Sequence, residues 1–333
     1  MSSLKHLFCR TLCGLGLSLG IVFSAQASYS NVFIFGDSLS DTGNVFTASG
    51  FTEPPPAIYY QGRLSNGPVW VETLASGLGH AGASTAWLQG GNNFAWAGAF
   101  SGTDGIAGPG TGLLSQVFGQ WAPNYSVDPN ALYVIGIGGN DLRYVDGNNQ
   151  PAATPYSDPV TLLGNLTLSL QFLISQGAQN FLVTNVPNLG LAPEAAGHRQ
   201  ESTDLVTTYN ALLSAQLSAI AGATGASITE FDLFGLITDV VNDAQNGGQL
   251  YGMHNGTISC WGNAANCDDS VFFDYLHPTA RVHALAGEAA LALLAVPEPN
   301  SWLLIVSALL LAAWVSRGKR RVASGNFGQR QAA

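Results

Sequence analysis

Four continuous apolar, β-rich runs, at 31–35, 131–137, 179–184 and 226–231, most constrain what this chain can fold into. None alternates apolar with polar residues, which is the pattern of strands covered on both faces. The stretches between and after them carry helical spacing, at 69–78, 160–175, 202–221, 233–244 and 279–294. Strands alternating with helices build a mainly parallel central sheet between two helix layers, a three-layer α/β/α sandwich. No repeat and no linker interrupts residues 28–295, so one domain is expected there. The Gly/Pro-rich stretches 47–64 and 98–112 read as loops over one edge, and the chemistry of such a fold sits at the carboxyl ends of its strands.

Charge is spread unevenly. Lys5 and Arg10 open the chain, and Arg317, Lys319, Arg320, Arg321 and Arg330 close it. Between them only Arg63, Arg143, Arg199 and Arg281 stand against all 21 acidic residues, a formal balance of −17 with no lysine. Such a surface repels phosphate backbones, so no nucleic acid is expected as a partner. Residues 1–27 combine the basic start, an apolar run at 12–23 and the small residues Ala25 and Ala27, the layout of a secretory signal peptide. The run is short of the roughly 20 residues of a membrane span, an uncleaved anchor being the alternative. Cleavage after Ala27 removes Cys9 and Cys13 and leaves Cys260 and Cys267 to pair in an oxidising compartment. Their ring of about eight residues limits the unfolded chain by roughly 2.5 kcal/mol, enough to pin one loop. With only His254 nearby, the two sulfurs make a poor zinc site, and no metal is expected.

Toward the other end, Val296-Pro297-Glu298-Pro299 precedes an apolar run at 302–315 and the cluster Arg317, Lys319, Arg320 and Arg321. The segment 296–321 resembles the tripartite PEP-CTERM sorting signal of Gram-negative bacteria. The resemblance implies transient inner-membrane anchoring through 302–315, processing by an exosortase, and delivery to the cell surface or extracellular matrix. The tail 322–333 departs from it, because such signals usually stop at the basic cluster. Fourteen apolar residues are by themselves a marginal span, and a plain C-terminal anchor is the alternative.

The first strand runs into Gly36-Asp37-Ser38-Leu39-Ser40-Asp41-Thr42-Gly43-Asn44. A strand-ending glycine lets the chain turn sharply and leaves Ser38 among free backbone N–H groups, a good seat for a nucleophile whose product is an oxyanion. Near the C-terminus, Phe273-Asp274-Tyr275-Leu276-His277-Pro278-Thr279 has a carboxylate three residues before an imidazole. At that spacing Asp274 can curl back onto His277 and fix its tautomer. Pro278 reads as the first residue of the last helix, with His277 at or next to its N-cap.

With Asn93-Phe94-Ala95-Trp96-Ala97-Gly98-Ala99 and Gly139-Asn140-Asp141, these segments resemble the four sequence blocks of the GDSL, or SGNH, hydrolases, in the same order. Gly62-Arg63-Leu64-Ser65-Asn66-Gly67-Pro68-Val69-Trp70 and Val186-Pro187-Asn188-Leu189-Gly190 are similar to the lipase-like branch, and the likeness spans nearly all of 31–290. It implies Ser38 as nucleophile, His277 as base, Asp274 as its orienting carboxylate, and an oxyanion hole made of the Ser38 and Gly98 N–H groups and the Asn140 amide. Ala97-Gly98 stands where the family often has two glycines, a change that bears on backbone freedom. No cofactor is implied, and the substrate is an ester or lipid. Hydrolysis, acyl transfer and carbohydrate O-deacetylation remain open, as does a non-catalytic matrix protein. Phe46, Phe51, Tyr59, Tyr60, Trp87, Trp96, Phe100 and Trp121 would suit an apolar acyl chain or an ordinary core. Asp37 is expected to hydrogen-bond the turn. His80, His198, His254 and His283 read as structural or solvated.

Overall fold

The four apolar runs become β1 (Val32–Gly36), β2 (Leu132–Gly136), β3 (Asn180–Thr184) and β4 (Ser227–Phe231), all parallel and adjacent in that order. The computed structural model describes residues 29–145, 149–262 and 267–295. The segments read as signal peptide, sorting segment and tail lie outside the described residues.

In register, Phe33 pairs with Tyr133 and Tyr133 with Phe181. Because successive strand residues point to opposite faces, Phe33, Phe35, Tyr133, Ile135, Phe181 and Val183 enter one core, and Val32, Ile34, Leu132, Val134 and Leu182 enter the other. Among the described residues the α-helices are, in chain order, α1 (Asn44–Ala48), α2 (Trp70–Gly77), α3 (Gly139–Leu142), α4 (Pro159–Ser175), α5 (Arg199–Thr224), α6 (Leu233–Gln245) and α7 (Ala280–Leu294). The first core is closed by Leu162, Leu166, Leu170 and Leu173 of α4 and Val206, Tyr209, Leu213 and Leu217 of α5. The second is closed by Trp70 and Leu74 of α2, Ile237 and Val240 of α6, and Val282, Ala286 and Ala290 of α7. These spacings of three and four place one apolar stripe of each helix on the sheet. Asp158 accepts from the Val160 and Thr161 N–H groups and sets the start of α4 with Pro159 behind it.

β4 departs from the expectation of strands covered on both faces. Ser227 is exposed and Ile228, Thr229 and Glu230 are half-buried, because β4 is the outer strand and, among the described residues, no strand pairs with its far side.

Beyond β1, a segment without regular strand assignment extends the sheet. Ile34 N–H donates to the Asn92 carbonyl at 3.0 Å, Phe94 N–H to the Ile34 carbonyl at 2.7 Å, and Trp96 N–H to the Gly36 carbonyl at 3.1 Å. Residues 92–96 therefore lie along the free side of β1, parallel to it at Asn93. The chain passes from β1 outward to this segment and then back to β2 on the inner side. That reversal opens a crevice at the carboxyl ends of β1 and β2, the position where ligands bind in doubly wound sheets.

The four mid-chain arginines each tie one part of the fold to another. Arg63 pairs with Glu72 at 2.7 Å and Arg143 with Glu194 at 2.7 Å. Arg199 donates to the Gly190 carbonyl at 3.0 Å, and Arg281 to the Asp268 and Tyr251 carbonyls at 2.8 and 2.6 Å. Cys260 and Cys267 are disulfide-bonded, with their Cα atoms 5.1 Å apart.

Candidate active site

β1 ends at Gly36, where a side chain is impossible: an added Cβ would run into the Gly136 carbonyl oxygen of β2. Gln116, on a π-helical segment (Ser115–Trp121), grips this residue from both sides. Its Oε1 accepts from Gly36 N–H and its Nε2 donates to the Gly36 carbonyl, each at 2.8 Å. The chain then turns about Asp37, whose carbonyl accepts from Ser40 and Asp41 N–H at 3.0 and 2.9 Å and whose Oδ1 accepts from Leu39 N–H at 3.0 Å. Burial pushes the Asp37 carboxyl up to about 6, against the Leu39 bond and the His277 charge that lower it. The turn leaves Ser38 buried at the crevice.

His277 and Asp274 arrive on one loop before α7. His277 Nε2 lies 2.9 Å from Ser38 Oγ, and His277 Nδ1 lies 2.8 Å from Asp274 Oδ2. Asp274 Oδ1 accepts from the His277 and Leu276 N–H groups at 2.6 and 2.8 Å. Burial alone would raise Asp274; the His277 charge and these donors outweigh it and hold the carboxyl at about 2. With Oγ on Nε2 and a carboxylate on Nδ1, the neutral ring carries its proton on Nδ1 and presents a bare Nε2 to the serine.

The helix expectation is corrected here. α7 begins at Ala280, Thr279 accepts its first backbone bond from His283 at 3.0 Å, and Asn66 Oδ1 caps Ala280 N–H at 2.8 Å. Pro278 therefore precedes the helix and His277 belongs to the loop, held by Phe273 N–H donating to its carbonyl at 2.8 Å.

Across the crevice, residues 97–101 are gripped at three points. Ala97 N–H donates to Asp41 Oδ2 at 2.9 Å, Ser101 N–H and Oγ donate to Asp141 at 3.0 and 2.6 Å, and Asn140 Nδ2 donates to the Ala99 carbonyl at 3.0 Å. Asp41 also accepts from Gly43, Asn44 and Val45 N–H at 2.7, 2.7 and 3.2 Å, which caps α1. Both carboxyls are raised by burial, Asp141 to about 6. Gly98 sits between these anchors at φ 78°, where a Cβ would stand 2.7 Å from Ile106 Cβ, so glycine is required. Neither the Ser38 nor the Gly98 N–H has a protein acceptor among the described residues. Asn140 is oriented from its other end by Arg143 Nη1, 3.2 Å from Oδ1, while that guanidinium forks onto Glu194 at 2.7 and 2.8 Å. One amide hydrogen of Asn140 is thus spent on Ala99 and the second is left for a ligand.

Two recesses meet at Ser38, Asn140 and His277. One is apolar and lies under helices, lined by Leu39, Trp70, Leu189, Leu233, Ile237, Val282 and Ala286. The other is an open cleft with Glu53, Tyr59, Gly98, Arg143, Glu194 and Trp261. None of the eight aromatic residues singled out in the sequence lines the apolar recess; Trp96, Phe100 and Trp121 are buried core and Tyr59 faces the cleft. His80 Nε2 meets the Tyr29 carbonyl at 2.7 Å, His198 stacks on Tyr144, and His254 pairs with Asp269 on the surface at 2.6 Å. His283 is buried beside the apolar recess, its Nδ1 accepts from Trp70 N–H at 3.3 Å, and burial pushes it down to about 3. Sequence reasoning missed Asp41, Asp141 and Gln116, since short polar side chains in a turn or helix announce no partner 40 to 80 residues away.

The parallel sheet with helices on both faces, together with the family it falls in, defines a hydrolase of α/β architecture that acts on ester bonds. The chain belongs to the GDSL-like lipase/acylhydrolase family, whose model matches residues 32–290. Among characterised sequences it is similar to a phosphatidylcholine-sterol acyltransferase of Aeromonas hydrophila, 25% identical over 84% of this chain and 95% of that one. A thermolabile hemolysin of Vibrio parahaemolyticus is 28% identical over 79% of this chain and 63% of that one. Among solved structures it is similar to a lipolytic G-D-S-L family protein of Veillonella parvula, at 16% identity and a TM-score of 0.42 over 79% of this chain and 96% of that one.

Proposed function

We propose that this chain is an exported serine esterase/lipase that cleaves carboxylic esters through Ser38, His277 and Asp274. His277 Nε2 takes the Ser38 proton as Oγ attacks the carbonyl carbon. The tetrahedral oxyanion is held by the Ser38 and Gly98 N–H groups and the free Asn140 amide hydrogen. Collapse expels the alcohol, which takes the proton from His277 and leaves an acyl-Ser38 ester. Water then attacks that ester with His277 again as base, and the acid leaves. The observation that carries this reading is the unbroken contact path from Asp274 through His277 to Ser38, at 2.8 and 2.9 Å, between segments 239 residues apart.

The apolar recess supports an alkyl acyl chain, and the open cleft, which carries Glu53, Arg143 and Glu194, supports the alcohol part. The test is hydrolysis of p-nitrophenyl esters from acetate to palmitate by the full chain and by Ser38→Ala. A turnover that falls by at least about 10⁴-fold in the variant is expected; equal turnover by both proteins contradicts the assignment.

A second reading is acyl transfer to another alcohol. The acyltransferase relative, similar along 95% of its length, favours it. A carbohydrate or lipid hydroxyl would then replace water in the second half. Residues 1–27 act in this account as a signal peptide, and 296–321 as a sorting segment read by an exosortase at the envelope of a Gram-negative cell. Both segments lie outside the described residues, and no helix among the described residues is long and apolar enough to cross a membrane. N-terminal sequencing of the exported protein should return Ser28, and Met1 would overturn the export proposal. A mature protein that retains Arg321 would overturn the sorting proposal.

A further inference from the structure

We propose that Tyr59 is a positioning residue of the catalytic centre, whose phenol hydroxyl shares Asp274 with His277 and thereby sets how tightly the imidazole holds its proton. The inference rests on the triad reading above.

Asp274 Oδ2 accepts two donors, His277 Nδ1 at 2.8 Å and the Tyr59 hydroxyl at 2.9 Å. Tyr59 comes from 215 residues away, on the long loop between α1 and α2. Its backbone is fixed by donation to the Pro55 carbonyl at 3.0 Å, and its ring stands edge-on to Phe273, with centroids 5.4 Å apart. The same loop is stitched to the histidine loop twice more. Ser65 Oγ donates to the Pro278 carbonyl at 2.9 Å, and Asn66 Oδ1 accepts from Ala280 N–H at 2.8 Å. The tyrosine loop is thus held to the histidine loop by contacts with residues before and after Asp274 in the chain.

A hydrogen bond to a carboxylate withdraws charge from the oxygen that accepts it. Here that oxygen is the one facing Nδ1–H, so the phenol weakens the pull of Asp274 on an imidazolium. The other charged or titratable groups around this assembly are Asp37 and His283, which act on His277, Glu53, which acts on Tyr59, and Arg143, Glu194 and Tyr275, which line the same cleft. Burial and the Asp274 charge raise the Tyr59 phenol above its ordinary range, so it remains a neutral donor at working pH.

Tyr59→Phe keeps the ring on Phe273 and removes only the donor. The acid limb of the kcat/KM profile should move to higher pH by about half a unit, a threefold change in proton affinity, with kcat lowered about three- to tenfold. Replacing Tyr59 by 3-fluorotyrosine makes a stronger donor of nearly the same shape and should move the limb to lower pH. Opposite displacements support the proposal. A lower kcat with an unmoved limb in both proteins, the outcome of a merely structural clamp, overturns it. If the wild-type chain hydrolyses no ester, the triad reading fails separately. The Tyr59 proposal is then read from NMR titration of the His277 ring in the same three proteins, with displacements in the same two directions supporting it and coincident midpoints overturning it.

Discussion

The two recesses that meet at Ser38 are built in different ways. The apolar one is walled by α2, α6 and α7, whose side chains are also the core of one sheet face: Trp70, Ile237, Val282 and Ala286 serve both. The open cleft is walled mostly by loops, and polar contacts fix several of them: Asp41 and Asp141 on residues 97–101, Arg143 on Glu194, Tyr59 on Asp274. A wall of core side chains fixes shape and is hard to vary without loss of stability, whereas a wall of loops fixes individual atoms and can vary freely between them. The division suits an ester, whose acyl chain is selected by shape and whose reacting carbonyl is held by single hydrogen bonds.

Changes on the two sides should therefore act differently. The largest effect belongs to the polar side: Asn140→Ala removes one of the proposed oxyanion donors and should lower kcat by about 10²- to 10³-fold for short and long esters alike, measured with p-nitrophenyl acetate and octanoate. A smaller and selective effect belongs to the apolar side. Ile237→Trp fills the recess and should cost long-chain esters about 10- to 100-fold in kcat/KM relative to acetate, since each displaced methylene is worth about 0.8 kcal/mol. Trp261→Ala, across the cleft, should leave the chain-length profile unchanged. A profile that moves equally in both variants would break the division.

The smallest effect concerns His283, the ionisable side chain of the α7 wall at the apolar recess. Its folded-state value of about 3 lies below the ordinary value of 6.5, so the unfolded chain gains a proton first as pH falls. The folded state accordingly loses stability from this group below about pH 6.5, and the loss stops only near pH 3. His283→Gln should gain about 0.7 kcal/mol on the wild type between pH 7 and pH 6 in urea unfolding. Asp37 and Asp141, raised to about 6, act in the opposite sense, with stability lost as pH rises from about 4 to 6, and they cancel in the comparison of the two proteins. A difference independent of pH would mean that His283 is not held neutral.

What could be read from the sequence follows the same division. The sheet and its helices are local in origin: apolar runs of five residues and apolar spacings of three and four are visible without knowing any partner. Ser38, Asp274 and His277 stand in short motifs, two of them three residues apart, so their chemistry could be read before their meeting was seen. The contacts that hold the polar side are non-local. Asp41 reads as a turn residue, yet its second oxygen holds Ala97, 56 positions on. Gln116 sits in a stretch with no motif and grips Gly36, 80 positions back. The extended 92–96 segment escapes because its pairing to β1 runs through alternate backbone groups of the short stretch Asn92-Asn93-Phe94-Ala95-Trp96, which has no β-branched residue. The start of α7 was misread for a related reason. Pro278 favours a first helical turn locally, but the cap is supplied by Asn66 from another loop.

The most direct test of the central claim is labelling of the full chain with a fluorophosphonate, followed by peptide mapping. A single label on the peptide containing Ser38, absent in Ser38→Ala, is the result this account predicts. A label on another residue, or none in a protein that hydrolyses esters, would contradict it.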